Sequence, residues 1–226
     1  MTSTIKRLWK NDYFQTVIVI ALIVVVVFGF WFGSQLVLNT KIPPALAVVS
    51  GSMCIQYDGS CDGWTHPFDR TLHVGDLIII QGVDPKDLNT NYPNSDIIVY
   101  QNPWYPNDPD QKIVHRIVAT EVINGTLYFY TKGDGNGANK WPNTPDRGEY
   151  DPWSPVPANM IYGKVVMRIP WIGHIAIFMR GVLGANNSLI GIPIIIILII
   201  LLIVIEFVLP IFRRKKPQTD QGTALQ

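Results

Sequence analysis

The chain has 226 residues, of which 48% are apolar and 15% charged, and its formal net charge is +1. A near-neutral balance with basic clusters only at the two ends excludes a nucleic-acid binder held by phosphate contacts. The length suits one medium domain plus membrane segments.

Residues 1–12 carry Lys6, Arg7 and Lys10, and residues 13–33 follow as an apolar run without a charge. A helix needs roughly 20 such residues to cross the hydrocarbon layer. The basic flank predicts a cytoplasmic N-terminus. Ala45-Leu46-Ala47 has the A-x-A form of a signal-sequence cleavage site. About a dozen residues, Pro43-Pro44 among them, separate it from the apolar run, so a retained anchor is the reading adopted.

Residues 34–188 change in character, with more Pro, Gly, Asn, Asp and Trp and short β-prone runs. Ser50-Gly51-Ser52-Met53 opens this region, and Cys54 and Cys61 are its only cysteines. A cysteine pair closing a short loop outside the cytoplasm fits a disulfide. Asp58, Asp62 and His66 leave a metal site as the alternative, although two cysteines with scattered oxygen donors do not make a zinc pattern. The runs 77–80 and 97–100 read as strands. Those at 112–123 and 126–131 read as a hairpin closed by Asn124-Gly125, since both residues tolerate positive φ. A further strand is predicted over 163–168. The segments 55–72, 101–111 and 133–158 read as long loops, which on a rigid sheet often carry function. Trp64, Trp104 and Trp141 fall in loops and suit either a membrane interface or a plug for the domain's own core. The apolar segment 171–183 suits either the bilayer surface or the underside of the sheet.

Residues 189–209 form a second apolar run of membrane-spanning length. Arg213, Arg214, Lys215 and Lys216 in the tail 210–226 predict that this end is cytoplasmic as well. The two spans leave 34–188 extracytoplasmic, and the expected fold is mainly antiparallel β between two transmembrane α-helices. Glu206 lies in the second run, seven residues before Arg213, and reads as an interfacial or interhelical group.

A hydroxyl needs a base within hydrogen-bond reach before it can attack an amide. Ser52 beyond the anchor and His115 on a predicted strand supply both types of group. Ser50-Gly51-Ser52-Met53, VGDLIII, DIIVYQNP, IVHRIVA, TKGDGN, DRGEY and YGKVV occur in this order. Together they resemble type I signal peptidases, and most closely the archaeal and endoplasmic-reticulum branch, which has histidine where the bacterial branch has lysine. The resemblance spans about residues 45–175. It implies Ser52 as nucleophile, His115 as general base, Asp146 as the third member of a triad and Asp134 as support for the active-site loop. It also implies an oxyanion hole from the Ser52 N–H and the Ser50 hydroxyl, with Met53 lining the substrate groove. Cys54-Ile55 stands where the family has an acidic residue and proline. Lys112 lies three residues before His115, on the opposite strand face.

The activity so implied is that of a membrane-bound serine endopeptidase that removes signal peptides from exported preproteins. Its partners would be preprotein signal peptides and the lipid membrane, with the secretion translocon or accessory membrane subunits alongside and no cofactor. Two readings from other classes stand beside it: a non-catalytic, membrane-anchored binding or accessory module on the same fold, and a two-pass scaffold. No metalloprotease spacing surrounds His66, His73 or His174, the segment 134–139 fails the EF-hand pattern at its fifth and sixth positions, and no phosphate-binding glycine loop occurs.

Overall fold

A computed structural model describes residues 12–56, 61 and 70–183. The predicted second span at 189–209, Glu206, the basic tail, Trp64, Asp58, Asp62 and His66 lie outside the described residues. Helix α1 covers Asp12–Val37. Within it Ile20–Val37 is long and apolar enough to cross a membrane, with a mean hydropathy of 2.3. It thus runs four residues beyond the predicted end at 33. No charged residue interrupts it after Asp12, and Pro43-Pro44 lies beyond its end.

Residues Phe28–Val182 form one compact unit. Its frame is a seven-stranded sheet of β1 (Ala45–Ala47), β2 (Leu77–Gln81), β3 (Ile97–Gln101), β4 (Lys112–Ile123), β5 (Thr126–Lys132), β6 (Val156–Pro157) and β7 (Ile161–Ile169). The strand order is β1-β2-β7-β3-β4-β5-β6, and every pairing is antiparallel. Helix α2 (Gly173–Leu183) follows β7, so the ambiguous segment 171–183 resolves as helix. The hairpin forms at Asn124-Gly125, both at positive φ, as the turn residues predicted.

The strand alternation sorts side chains onto two faces. Val99 joins Val48, Met53, Leu72, Ile78 and Ile80 on one face. Ile98 and Tyr100 join Leu88, Ile117, Phe129 and Val156 on the other. Strand β3 is therefore covered on both sides, which is why its sequence is an unbroken apolar run. In the β3–β4 register Ile98 lies opposite His115 and Ile97 opposite Arg116. Directly opposed residues share a face, so His115 and Arg116 leave β4 on opposite sides of the sheet. That division places the two functional neighbourhoods described next.

Candidate active site

The segment leaving β1 carries the candidate nucleophile. Val48 N–H donates to Asp76 O at 2.9 Å and Gly75 N–H donates to Val48 O at 2.9 Å, which binds this segment to the turn before β2. The chain then folds back at Gly51–Cys54, where Cys54 N–H donates to Gly51 O at 2.9 Å. Cys54 is disulfide-bonded to Cys61, and Val74 N–H donates to Cys61 O at 3.0 Å. The bridge thus fastens the Ser52 turn to the same turn before β2.

A second loop clamps Ser52 from the other side. Gly135 N–H donates to Ser52 O at 2.9 Å. A Cβ at Gly135 would lie 1.9 Å from Cys54 O, and one at Gly133 would lie 2.5 Å from Ser52 O. Only glycine permits backbone to approach backbone this closely. The loop is itself fastened at two points. Lys132 Nζ donates to Asn136 O at 2.5 Å and Asn139 O at 2.9 Å, and burial pushes this ammonium below its ordinary pKa. The Glu149 carboxylate accepts from the Ala138, Asn139 and Asp146 N–H groups and from the Asn139 amide. Hydrogen bonds from the Asn139 backbone and side chain come first in holding its pKa down at about 2.

Against this clamp the candidate site assembles. The Ser52 hydroxyl lies 2.9 Å from His115 Nε2. His115 Nδ1 lies 2.6 Å from Asp151 Oδ2, with both side chains buried. The Asp151 oxygen also accepts from the Thr131 hydroxyl at 2.8 Å and the Tyr100 hydroxyl at 3.4 Å. Asp151 reaches this position because its N–H donates to Thr131 O on β5 at 2.8 Å. Trp153 stacks on the His115 ring, with centroids 6.0 Å apart and 26° between planes, and its Nε1–H donates to the Tyr100 hydroxyl at 2.8 Å. Burial pushes the Tyr100 phenol well above its ordinary pKa, so it stays a neutral donor.

One expectation about the aspartates changes here. Asp146 does not meet His115. It is exposed and extended at the start of a short 3-10 turn over Arg147–Glu149, and its N–H is tied to Glu149. That turn carries the chain on to β5, so Asp151 rather than Asp146 arrives beneath the imidazole. Asp134 lies in the loop that clamps Ser52, but its partner is Arg116, from Nε at 2.7 Å and Nη2 at 2.8 Å. Burial pushes its carboxyl pKa up, and this two-pronged ion pair pulls it back down. The same guanidinium donates to Ser95 O at 2.8 Å and lies 5.1 Å from the Trp141 ring centroid.

The remaining predicted residues fall as follows. The Ser50 hydroxyl is exposed and 3.4 Å from the Ser52 hydroxyl. No backbone carbonyl among the described residues accepts from the Ser52 N–H. Met53 borders the groove from within the core: only 1% of it is exposed, and its sulfur accepts from Asp134 N–H at 3.5 Å. Lys112 leaves β4 on the face opposite His115, 5.9 Å from the Tyr162 ring centroid, and its ammonium donates to Pro109 O. Trp141 serves the domain's own interior, since its Nε1–H donates to Pro93 O at 2.8 Å. Sequence reasoning missed Asp151, Thr131, Tyr100 and Trp153. A faint signal existed in Asp151-Pro152-Trp153, a third aspartate beside an aromatic residue in the same loop.

Ser52 and His115 open onto a groove of about 540 Å³. Strand β1, residues 112–115 of β4, Trp153 and helix α2 line it. No family model, curated protein or solved structure matches the chain.

Proposed function

We propose that the chain is a membrane-bound serine endopeptidase of the signal-peptidase kind, cutting signal peptides from exported preproteins. The observation that carries this reading is the continuous Ser52–His115–Asp151 hydrogen-bond relay opening onto a groove. Beside it stand the order of the seven motifs and the apolar helix that precedes the site.

The chemistry follows from the distances. Asp151, acceptor-only when ionised, selects the imidazole tautomer that carries its proton on Nδ1. Nε2 is then free to accept from the Ser52 hydroxyl as Oγ attacks the scissile carbonyl. The C–O bond forms, the carbonyl electrons move to oxygen, and His115 holds the proton as an imidazolium facing Asp151. The donors proposed to stabilise the oxyanion are the Ser52 N–H and the Ser50 hydroxyl. Collapse of the intermediate breaks the C–N bond, and His115 Nε2 returns the proton to the departing amine. Water then takes the place of the amine, and the same steps release the acid and restore Ser52.

Substrate binding uses the sheet. Among the described residues strand β1 ends the strand order, so its outer edge offers a place for one more extended chain. A preprotein segment added there takes its register from main-chain hydrogen bonds and seats alternate side chains in the groove. The anchor keeps Ser52 near the membrane where such segments emerge, which raises their effective concentration. The test is cleavage of a preprotein by the full chain in detergent. Ser52→Ala is expected to abolish product while retaining substrate binding. Equal cleavage by Ser52→Ala and the unsubstituted chain would sink the reading, and binding without any cleavage by either would favour the accessory module.

A further inference from the structure

One wall of the groove comes from an element to which no motif assigns a role. Helix α2 contributes Ala176, Ile177 and Arg180, at positions i, i+1 and i+4 of a single face. The start of the helix is tied down. At its start Gly173 is buried under the turn before β2, where a Cβ would lie 2.4 Å from Asp76 O. The His174 ring covers Gly75, where φ is +88° and a Cβ would fall 2.0 Å from Nε2. This is the turn that pairs with Val48, so the helix begins beside the segment that carries Ser52. At the other end the Arg180 guanidinium lies 3.9 Å from the Asp110 carboxylate, just before Lys112 opens β4. Eleven residues at 1.5 Å each give about 16 Å, enough to run the length of four or five substrate residues. Ile177 is the large apolar side chain on the inner face, and it is half-buried although Ile175 and Phe178 beside it are exposed.

We propose that α2 is the specificity wall of this groove and that Ile177 sets the largest substrate side chain the groove admits. The proposal rests on the peptidase reading above. A substrate strand on the edge of β1 would seat side chains between β1, β4 and the inner face of α2. A side chain facing Ile177 has only the space that a branched four-carbon group leaves. Small residues fit, and larger ones must displace a helix packed at its start against the turn before β2. Shape discrimination of this kind is worth about 10- to 200-fold per methylene-sized difference.

The experiment uses the full chain in detergent and a set of preproteins carrying Ala, Val, Leu or Phe in turn at each of the four residues before the cut. The unsubstituted chain, Ile177→Ala and Ile177→Trp are compared by kcat/KM, with labelling of Ser52 by a small fluorophosphonate as a measure of intact active site. At one position at least, Ile177→Ala is expected to raise the Leu-to-Ala ratio of kcat/KM by about tenfold or more. Ile177→Trp is expected to lose about tenfold or more on every preprotein while labelling changes by less than about twofold. Identical ratios across all three chains, with cleavage and labelling intact, would overturn the wall alone. Failure of the unsubstituted chain to cleave in a Ser52-dependent way would overturn the peptidase reading, and the wall with it.

Discussion

Replacing Asp151 by Asn changes one atom and no volume, so it isolates the electrostatic role of the carboxylate. Asp151 Oδ2 faces His115 Nδ1 at 2.6 Å and accepts from Thr131 and Tyr100 as well. Those hydroxyls meet the same oxygen that faces the ring, so an Asn here presents to Nδ1 either a neutral amide oxygen that keeps their hydrogen bonds or an NH2 that gives them up. The NH2 orientation selects the other tautomer, with the proton on Nε2, 2.9 Å from the Ser52 hydroxyl. In that orientation Nε2 has no lone pair with which to accept, and in either one the imidazolium loses its counter-charge. The corresponding change in serine proteases costs about 10⁴ in kcat. At about 1.36 kcal/mol per factor of ten this is about 5.4 kcal/mol of transition-state stabilisation. The assay is single-turnover cleavage of a preprotein in detergent, with thermal unfolding as a check on folding. Asp146→Asn serves as the comparison, since its exposed carboxylate lies away from His115, and it is expected to stay within about threefold. If Asp151→Asn retains activity within about tenfold, or if Asp146→Asn falls as far, the relay assigned here is wrong.

Three further outcomes follow from the surroundings of the site. Asp134→Ala strands the buried Arg116 guanidinium and is expected to lower stability by about 3–5 kcal/mol, whereas Arg116→Met with Asp134→Leu should lose markedly less; thermal unfolding of the three chains reads the difference. Gly135→Ala forces a Cβ against Cys54 O and should shift the Ser52 turn, with a loss of about a hundredfold in fluorophosphonate labelling rate. Glu149 has its pKa held at about 2 against an ordinary 4.5, so its contribution to stability is complete above pH 4.5 and is lost as pH falls from there toward 2. Across that window Glu149→Gln should remove part of the acid-induced fall in melting temperature, and an unchanged difference between the two chains at pH 5 and pH 3 would refute the assignment.

Legibility followed the range of the interactions. Strands β2, β3, β4, β5 and β7 announced themselves through β-branched runs, and the hairpin through Asn124-Gly125. Strand β1 did not, because Ala45-Leu46-Ala47 has weak β propensity and the look of a cleavage site. It is a strand only because β2 offers a partner, with Leu46 opposite Ile78. Helix α2 was ambiguous for a related reason: its apolar residues serve two faces, one toward the groove and one outward, so no single stripe dominates.

The linear chain by itself determined the long apolar segment, the β-rich character of the following domain, and Ser52 and His115 as the groups to watch. Each of these depends on residue type and on spacing along a few neighbours. Which carboxylate meets the imidazole depended on something no local pattern encodes. A turn held by Glu149 leaves Asp146 at the surface, and a single backbone hydrogen bond to Thr131 seats Asp151 beneath a ring thirty-six positions earlier. Three aspartates in one loop are chemically alike on paper. Only the path of the folded backbone, which must satisfy its buried donors and acceptors, separates the one that pairs with Arg116, the one left in water and the one that orients His115.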